Sequence, residues 1–451
     1  MTDMPVGATD TAAPAPPTII TDGYRRYAMV ILLIIYILNF VDRQVINILA
    51  EPIKNELGLM DWQLGLMTGL AFAVFYTFLG LPIARLAERS NRPNIIAASL
   101  VVWSGFTALS GLAQNFVHLI LARIGVGIGE AGCTPAAHSL ISDYVPKEKR
   151  ASALAFYSMG TPLGSLVGLA VGGLVADAYG WRAAFIVCGL PGILLAAVAF
   201  FTLIEPRAKA AIGHAKVAAA KVLPYTEALK ILATKRTFAL VAIAAAIKAF
   251  VGYGHAPFTA SFFFRNHTEE IAAAASVFGL QSGGFLGLAL GIVGGLGGAL
   301  GAFLGGMIAD KFAKSDFRGW MSVPAIASVV SIPIFVVAMQ TNIGLLAISI
   351  LTINAILGSL WYGPVYATAQ SVAPAHVRAT ASAVMLFVIN LIGLGLGPLI
   401  VGLMSDYFAI GMSMGKAEGV RWALIASSCF GFIAAALFWK ARESIREDME
   451  G

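Results

Sequence analysis

The sequence predicts an all-α membrane protein whose twelve transmembrane helices form two six-helix bundles related by pseudo-symmetry. The first observation is composition: of 451 residues, 58% are hydrophobic and only 12% are charged, whereas soluble chains are about half apolar and a quarter charged. The second is that the apolar residues form blocks long enough to cross a hydrocarbon core of ~30 Å as a helix. The third is an internal repeat, described below.

The apolar blocks predict twelve spans, which keep their chain-order numbers throughout. They lie near 26–50, 62–84, 94–113, 116–142, 151–176, 181–204, 237–264, 277–309, 320–340, 343–372, 377–405 and 420–440. The N-terminal bundle is 25–204 and the C-terminal bundle is 237–441, joined by a cytoplasmic linker, 205–236, with one amphipathic helix. Residues 1–24 and 442–451 are expected to be cytoplasmic tails. The first tail is rich in Pro and Ala and has no basic start, which predicts disorder and not a cleaved signal peptide.

Lys and Arg residues in the loops predict the orientation, because cytoplasmic loops carry an excess of both. With both termini in the cytoplasm, the inner segments hold 22 of the 30 Lys and Arg residues and the outer segments hold 5. We therefore expect a multi-pass protein of the cell membrane with both termini cytoplasmic. This placement also explains the net charge of +6, so no nucleic-acid partner is expected.

Two motifs of metal and nucleotide chemistry are missing from the sequence. It contains no H-E-x-x-H and no Walker loop, and its three cysteines lie in apolar blocks without metal-ligand spacing. The segment "GIGEAG" (127–132) spells G-x-G-x-x-G, but no strand precedes it and it lies mid-membrane. We expect no enzyme, no cofactor and no metal.

Two motifs recur in the two halves. "PKEKRASALA" (146–155) matches "PAHVRATASA" (374–383) at an offset of 228 residues, and "LAERSNRP" (86–93) matches "IADKFAKS" (308–315) at an offset of 222. Such parallel repeats are typical of transporters whose substrate site lies between the halves.

The second of these motifs resembles the major facilitator superfamily, whose loop between spans 2 and 3 usually reads G-x-L-x-D-R-x-G-R-R. The resemblance implies a monomeric transporter that works by alternating access. It also implies gating contacts at the cytoplasmic side that hold the outward-open state. The residues expected to make them are Glu88, Arg89, Arg92, Asp310, Lys311 and Lys314.

A second set of residues resembles the spinster-like group of that superfamily. It consists of Asn39, Asp42 and Arg43 in span 1 with Arg123 and Glu130 in span 4. Animal members of the group are associated with lysolipid and sphingosine-phosphate transport. The resemblance therefore implies an amphipathic or lysolipid-like anionic substrate, with protons and membrane lipids as the other partners.

Charges inside the spans point to a proton-coupling site. Asp42 and Glu130 are the acids that fall well inside predicted spans, where a charge costs at least ~2.5–3.5 kcal/mol and therefore pairs. By depth and spacing, Arg123 can meet Asp42 and Arg43 can meet Glu130. A buried salt-bridge cluster that only locks span 1 to span 4 is one hypothesis. A proton switch is the one we favour, because burying ions is a poor source of stability.

Asn39 and the remaining candidates are expected to bind the substrate, and each of the remaining candidates has a plainer alternative. Lys248 can attract an anionic headgroup or lie on a wet cavity wall, and His255 can take part in protonation or be an ordinary interior histidine. In span 10, the polar and aromatic side chains suit an amphipathic substrate or ordinary packing; they are Asn354, Trp361, Tyr362 and Tyr366. The function predicted is proton-coupled secondary transport of such a substrate, with small organic anions or drugs as the alternative.

Overall fold

The computed structural model describes residues 20–207, 225–314 and 316–450. These residues form helices joined by short turns, with no strand among them. Twelve helices are long and apolar enough to span a membrane, as the sequence predicted. Their bounds are Asp22–Leu57, Asp61–Ala87, Arg92–Ser110, Phe116–Tyr144, Ser152–Tyr179, Trp181–Thr202, Arg236–Asn266, Ser282–Ala313, Gly319–Gln340, Gly344–Val372, Thr380–Gly411 and Gly415–Met449.

The ends of the chain differ in detail from the prediction. Span 1 begins at Asp22, where the Thr21 side chain accepts a hydrogen bond from the Tyr24 backbone N–H and caps the helix. The last helix, Phe430–Glu450, continues through most of the segment predicted as a tail. The linker contains the helix Tyr225–Thr234. Residues 1–19 of the predicted tail and 208–224 of the predicted linker lie outside the described residues.

An even number of spans brings the start of span 1, the linker and the last helix to one side, here called the terminal side. The opposite side is called the far side. Each half has a buried core near the terminal side, and the two halves share one large core toward the far side. The halves are thus packed together more fully at the far side.

Two pairs of spans bring the halves into close backbone contact. Span 2 packs on span 11, where a Cβ at Gly65 would collide with the Pro398 carbonyl oxygen. Span 5 packs on span 8, where a Cβ at Gly287 would collide with the Leu169 carbonyl oxygen. Small residues permit such approach between transmembrane helices. The glycines that recur every four residues in span 8 therefore serve packing; they are Gly283, Gly287, Gly291 and Gly295.

Three of the spans that meet at these interfaces contain a π-helical turn. These turns are Leu66–Leu70 in span 2, Ile292–Gly297 in span 8 and Ile389–Leu396 in span 11. Single π turns inside α-helices are frequent at functional sites and bend the helix locally. Span 10 breaks instead between Ser359 and Tyr362, just before the Gly-Pro pair.

Candidate functional site

The centre of the molecule holds a charge pair between spans 1 and 4. The Arg43 Nε donates to the Glu130 Oε2 at 2.6 Å. The Glu130 side chain is fully buried, and the Arg43 side chain is 15% exposed. The other Glu130 oxygen makes no hydrogen bond to any residue that the structure describes. The Arg43–Glu130 pairing that depth and spacing predicted is therefore present, and one of the two Glu130 carboxylate oxygens has no hydrogen-bond partner among the described residues.

Asp42 lies beside this pair without an ion-pair partner of its own. It is buried, and neither of its carboxylate oxygens makes a hydrogen bond within the described part of the chain. Glu130 and Arg123 are within electrostatic range of it, and the polar side chains nearest to it are Thr107 and Trp103. The ion pair that the sequence allowed between Asp42 and Arg123 is not formed, because the Arg123 guanidinium lies over the Phe72 ring instead, at 5.3 Å.

Aromatic rings surround the Arg43 guanidinium. It lies 5.3 Å from the Phe40 ring, 4.9 Å from the Phe72 ring and 4.5 Å from the Tyr76 ring. Each such contact favours the cation by about 0.5–2 kcal/mol, depending on desolvation. Sequence reasoning missed Phe72 and Tyr76, although their i,i+4 spacing in span 2 places them on one helix face.

Tyrosines from both halves meet across the central space. Tyr36 of span 1 is within electrostatic range of Tyr366 in span 10. Tyr253 of span 7 is within range of Arg43 and Tyr366. Tyr362 is 40% exposed although it belongs to a membrane span. The structure thus brings Tyr362 and Tyr366 near Tyr253, and Tyr366 near Tyr36; the sequence analysis did not single out Tyr36 or Tyr253.

Trp361 and Asn354 pack inside the C-terminal half. Trp361 is only 3% exposed and stacks on the Tyr362 ring at 4.2 Å between centroids. The Asn354 amide donates to the Ser331 carbonyl oxygen at 2.7 Å and joins span 10 to span 9. In this structure both side chains therefore serve packing inside the C-terminal half.

The other proposed substrate residues lie at different depths in the site. Asn39 is buried beside Glu130. His255 is buried, with Nε2 3.0 Å from the Ser427 hydroxyl and its ring stacked on Phe335. This is the interior-histidine alternative. Lys248 is half-buried in span 7, within electrostatic range of His255.

Two of the residues predicted to gate the terminal side, Arg92 and Asp310, make contacts within their own halves, and the Glu88 side chain lies outside what the structure describes. Arg92 is buried and pairs with Asp143 at 2.6 Å and with Glu205. Burial alone would raise the pKa of Glu205, but its hydrogen bonds with Arg92 outweigh burial and hold that pKa below its usual value. Asp310 accepts from the Trp320 indole N–H at 3.2 Å. Arg89, Lys311 and Lys314 are exposed.

A further charge network, which sequence reasoning missed, joins the halves at the far side. Arg265 of span 7 pairs with Glu51 at 2.6 Å and with Asp61 at 2.8 Å. Lys54 pairs with Asp61 at 2.5 Å. The sequence analysis placed Lys54 and Arg265 in loops, but both are in helices with side chains only 6% exposed. The sequence signal that could have predicted this network is that both bases lie near acidic residues at the ends of spans.

Residues 32–398 match the family described as Major Facilitator Superfamily. The chain belongs to that superfamily. An MFS-type efflux pump of Mycolicibacterium smegmatis is 30% identical over 429 residues, which cover 94% of each chain. The protein spinster homolog 3 of Danio rerio is 30% identical over 263 residues, 57% of this chain and 52% of that protein.

The fold of this major facilitator also agrees with a solved relative. A crystal structure of a bacterial homologue of the human lysosomal transporter Spinster, inward-facing and unoccupied, aligns with a TM-score of 0.83 at 32% identity. The alignment covers 95% of this chain and 99% of that chain. The protein is therefore a spinster-like transporter with the major facilitator fold and not an enzyme. The similarity to an inward-facing structure supports alternating access.

Proposed function

We propose that this protein couples the movement of an amphipathic, lysolipid-like anion to protons, with both termini in the cytoplasm. The observation that carries the proposal is the Arg43–Glu130 pair with Asp42 buried next to it. In this orientation the sealed far side makes the conformation inward-facing.

Proton coupling follows from competition for Arg43. Burial favours the neutral form of a carboxyl group, and a neighbouring arginine favours its charged form. When Arg43 turns toward an anion in the cavity, Glu130 loses its partner and takes up a proton. When the pair forms again, that proton is released. Asp42, with Arg123 within electrostatic range, provides a second carboxyl whose charge responds to the same movements.

The lining of the cavity supports an amphipathic substrate. Arg43 offers a cation to an anionic headgroup, and Lys248 offers a second one deeper in span 7. The tyrosine rings offer flat apolar faces to an alkyl chain and hydroxyls to the polar region.

The alternative substrate class is small organic anions or drugs. The similarity to an efflux pump along 94% of both chains favours it. The same arginine and tyrosine hydroxyls would bind a short anion. The two candidates differ in whether an alkyl chain is needed for binding.

Transport into proteoliposomes tests the proposal. We expect a fluorescent lysophospholipid to move faster under an imposed proton gradient than without one. The matched probe is the headgroup alone, glycerophosphodiester without the alkyl chain, which should move at least tenfold more slowly. Equal rates for the two probes would favour the alternative. A rate of lysolipid transport that is the same with and without the proton gradient would contradict proton coupling.

A further inference from the structure

Asp177, at the far-side end of span 5, binds the start of a helix in the other half. Its carboxylate accepts hydrogen bonds from the backbone N–H groups of Gly283 at 3.2 Å and Gly284 at 2.6 Å. These groups belong to the first turn of span 8, where the N-cap residue Gln281 provides no side-chain cap. First-turn N–H groups lack partners within their helix and carry partial positive charge. Asp177 therefore caps span 8 across the boundary between the halves.

Asp406, in span 11, makes the same contact in the opposite direction. Its carboxylate accepts from the backbone N–H groups of Asp61 at 3.1 Å and Trp62 at 2.8 Å. These groups begin span 2, whose N-cap residue Met60 makes no side-chain cap hydrogen bond. Each half thus supplies one carboxylate to one helix of its partner half.

The two caps are copies of each other. Asp406 follows Asp177 by 229 residues, and the capped residues Gly283 and Gly284 follow Asp61 and Trp62 by 222. These offsets match the internal repeat, which has 222 residues for spans 2 and 8 and 228 for spans 5 and 11. The close backbone contacts beneath the caps repeat with the same spacing, since Gly287 follows Gly65 by 222 and Pro398 follows Leu169 by 229.

We propose that Asp177 and Asp406 form a duplicated latch that holds the far side closed. Opening the far side separates span 5 from span 8 and span 2 from span 11, so each carboxylate must give up two backbone N–H groups. This inference rests on the proposed alternating access, but on neither the substrate nor the proton. The Asp406 latch has the Arg265–Asp61 ion pair next to it, whereas Asp177 forms no ion pair with any residue in the described ranges.

Distance measurements by pulsed electron paramagnetic resonance test the latch. Nitroxide labels on Leu112→Cys and Ile343→Cys, two exposed far-side positions in different halves, are placed in a chain with its native cysteines changed to alanine. Loss of a helix cap by substitution to alanine costs ~1 kcal/mol, about fivefold in an equilibrium. Asp177→Ala and Asp406→Ala should each raise the ratio of far-side-open to closed molecules about fivefold. The double variant should raise it about 25-fold if the contributions add.

Glu270→Ala is the matched control. Glu270 also caps a helix at the far side, with bonds from the Gly344 N–H at 2.6 Å and the Leu345 N–H at 3.3 Å, but within the C-terminal half. Because Ile343 is the N-cap residue of that helix, this control is read between Leu112→Cys and the exposed far-side Met412→Cys instead, and their distance should equal that of the same labels without the Glu270 substitution. If an alanine variant is not monodisperse, Asp177→Asn and Asp406→Asn replace it, with a smaller shift in the same direction.

Two results would overturn the latch: a double variant with the wild-type distance distribution, or equal opening by Glu270→Ala. The measurement needs no substrate and no pH gradient. A negative result would therefore leave proton-coupled transport untouched, and a failed transport assay would leave the latch untouched.

Discussion

At the scale of single residues, Arg43 connects the parts of the candidate site. Its guanidinium contacts one carboxylate and three aromatic rings, and the side chain remains 15% exposed. A planar cation suits this position better than lysine, because it can stack on rings and pair with a carboxylate together. Removing one partner of a buried pair is costly because it leaves an uncompensated charge. Glu130 avoids that cost if it binds a proton whenever Arg43 leaves.

The first residue-scale prediction is that Asp42→Asn with Glu130→Gln removes the response to pH. Both substitutions fix the neutral form, so acid can no longer change the charge at the site. The ratio of inward-open to outward-open molecules should vary between acid and neutral pH in the wild type and stay constant in the double variant. Spin-label distances between the halves measure this ratio.

Glu56→Gln is the control for that experiment, since Glu56 is a partly exposed far-side acid that pairs with Arg182 inside the N-terminal half. It should keep the wild-type pH response. If the double variant kept the wild-type pH response, the proton would have to bind at another residue, and His255 would be the next candidate.

At the scale of elements, the spans that join the halves depend on glycine. Span 8 lies so close to span 5 that the Gly287 position has no room for a methyl group beside the Leu169 carbonyl oxygen. Span 2 and span 11 meet in the same way. Backbone contact of this kind is lost abruptly when the helices separate, because dispersion attraction falls steeply with distance. The interface therefore favours two discrete states over a gradual opening.

The element-scale prediction concerns one added methyl group. Gly287→Ala should destabilise the far-side-closed state by roughly 1–3 kcal/mol, as overpacking does elsewhere, and shift the 112–343 distance toward the open form. Gly294→Ala, in the same span, is the control, because a Cβ there meets nothing within 4 Å. Identical distances and melting temperatures for both variants would show that the close contact carries no energy.

At the scale of the whole molecule, the contacts between the two halves differ between the far side and the terminal side. Hydrogen-bonded and ionic contacts at the far side join the halves through Arg265, Asp177 and Asp406. Two gating residues at the terminal side, Arg92 and Asp310, contact their own half. Alternating access then requires the terminal-side groups to find partners across the halves when the far side opens.

The whole-molecule prediction is that Glu88→Gln or Asp310→Asn favours the inward-open state. Both acids lie in the repeated loop motif, so both are expected to contribute to closing the terminal side. Labels on Glu148→Cys and His376→Cys, exposed positions in equivalent loops of the two halves, should report a larger fraction of long distances.

Asp316→Asn is the control, since Asp316 pairs with Arg446 at 2.9 Å inside the C-terminal half. Unchanged distances in the Glu88 and Asp310 variants would contradict the gating role.

The sequence by itself determined the twelve spans, the two-fold repeat and the central position of Asp42, Arg43, Arg123 and Glu130. Each of these properties depends on a short stretch of sequence or on a sum over neighbouring residues. Hydropathy over about twenty residues predicts a span, and helical spacing with depth allowed the Arg43–Glu130 pair. The predicted and observed bounds of the spans differed only at helix ends. The last helix is an example, because its polar C-terminal residues remain helical beyond the predicted span.

Only the tertiary structure decided which side chains meet across long separations. The Trp361 side chain is buried inside the C-terminal half, and the rings of Phe72 and Tyr76 lie beside Arg43. The Arg123 guanidinium lies over the Phe72 ring and does not pair with Asp42. The tertiary structure also joined Asp61 to Asp406, which are 345 residues apart in the chain. The physical reason is that such contacts depend on how whole helices rotate and pack, and a rotation of one residue, about 100°, changes every partner.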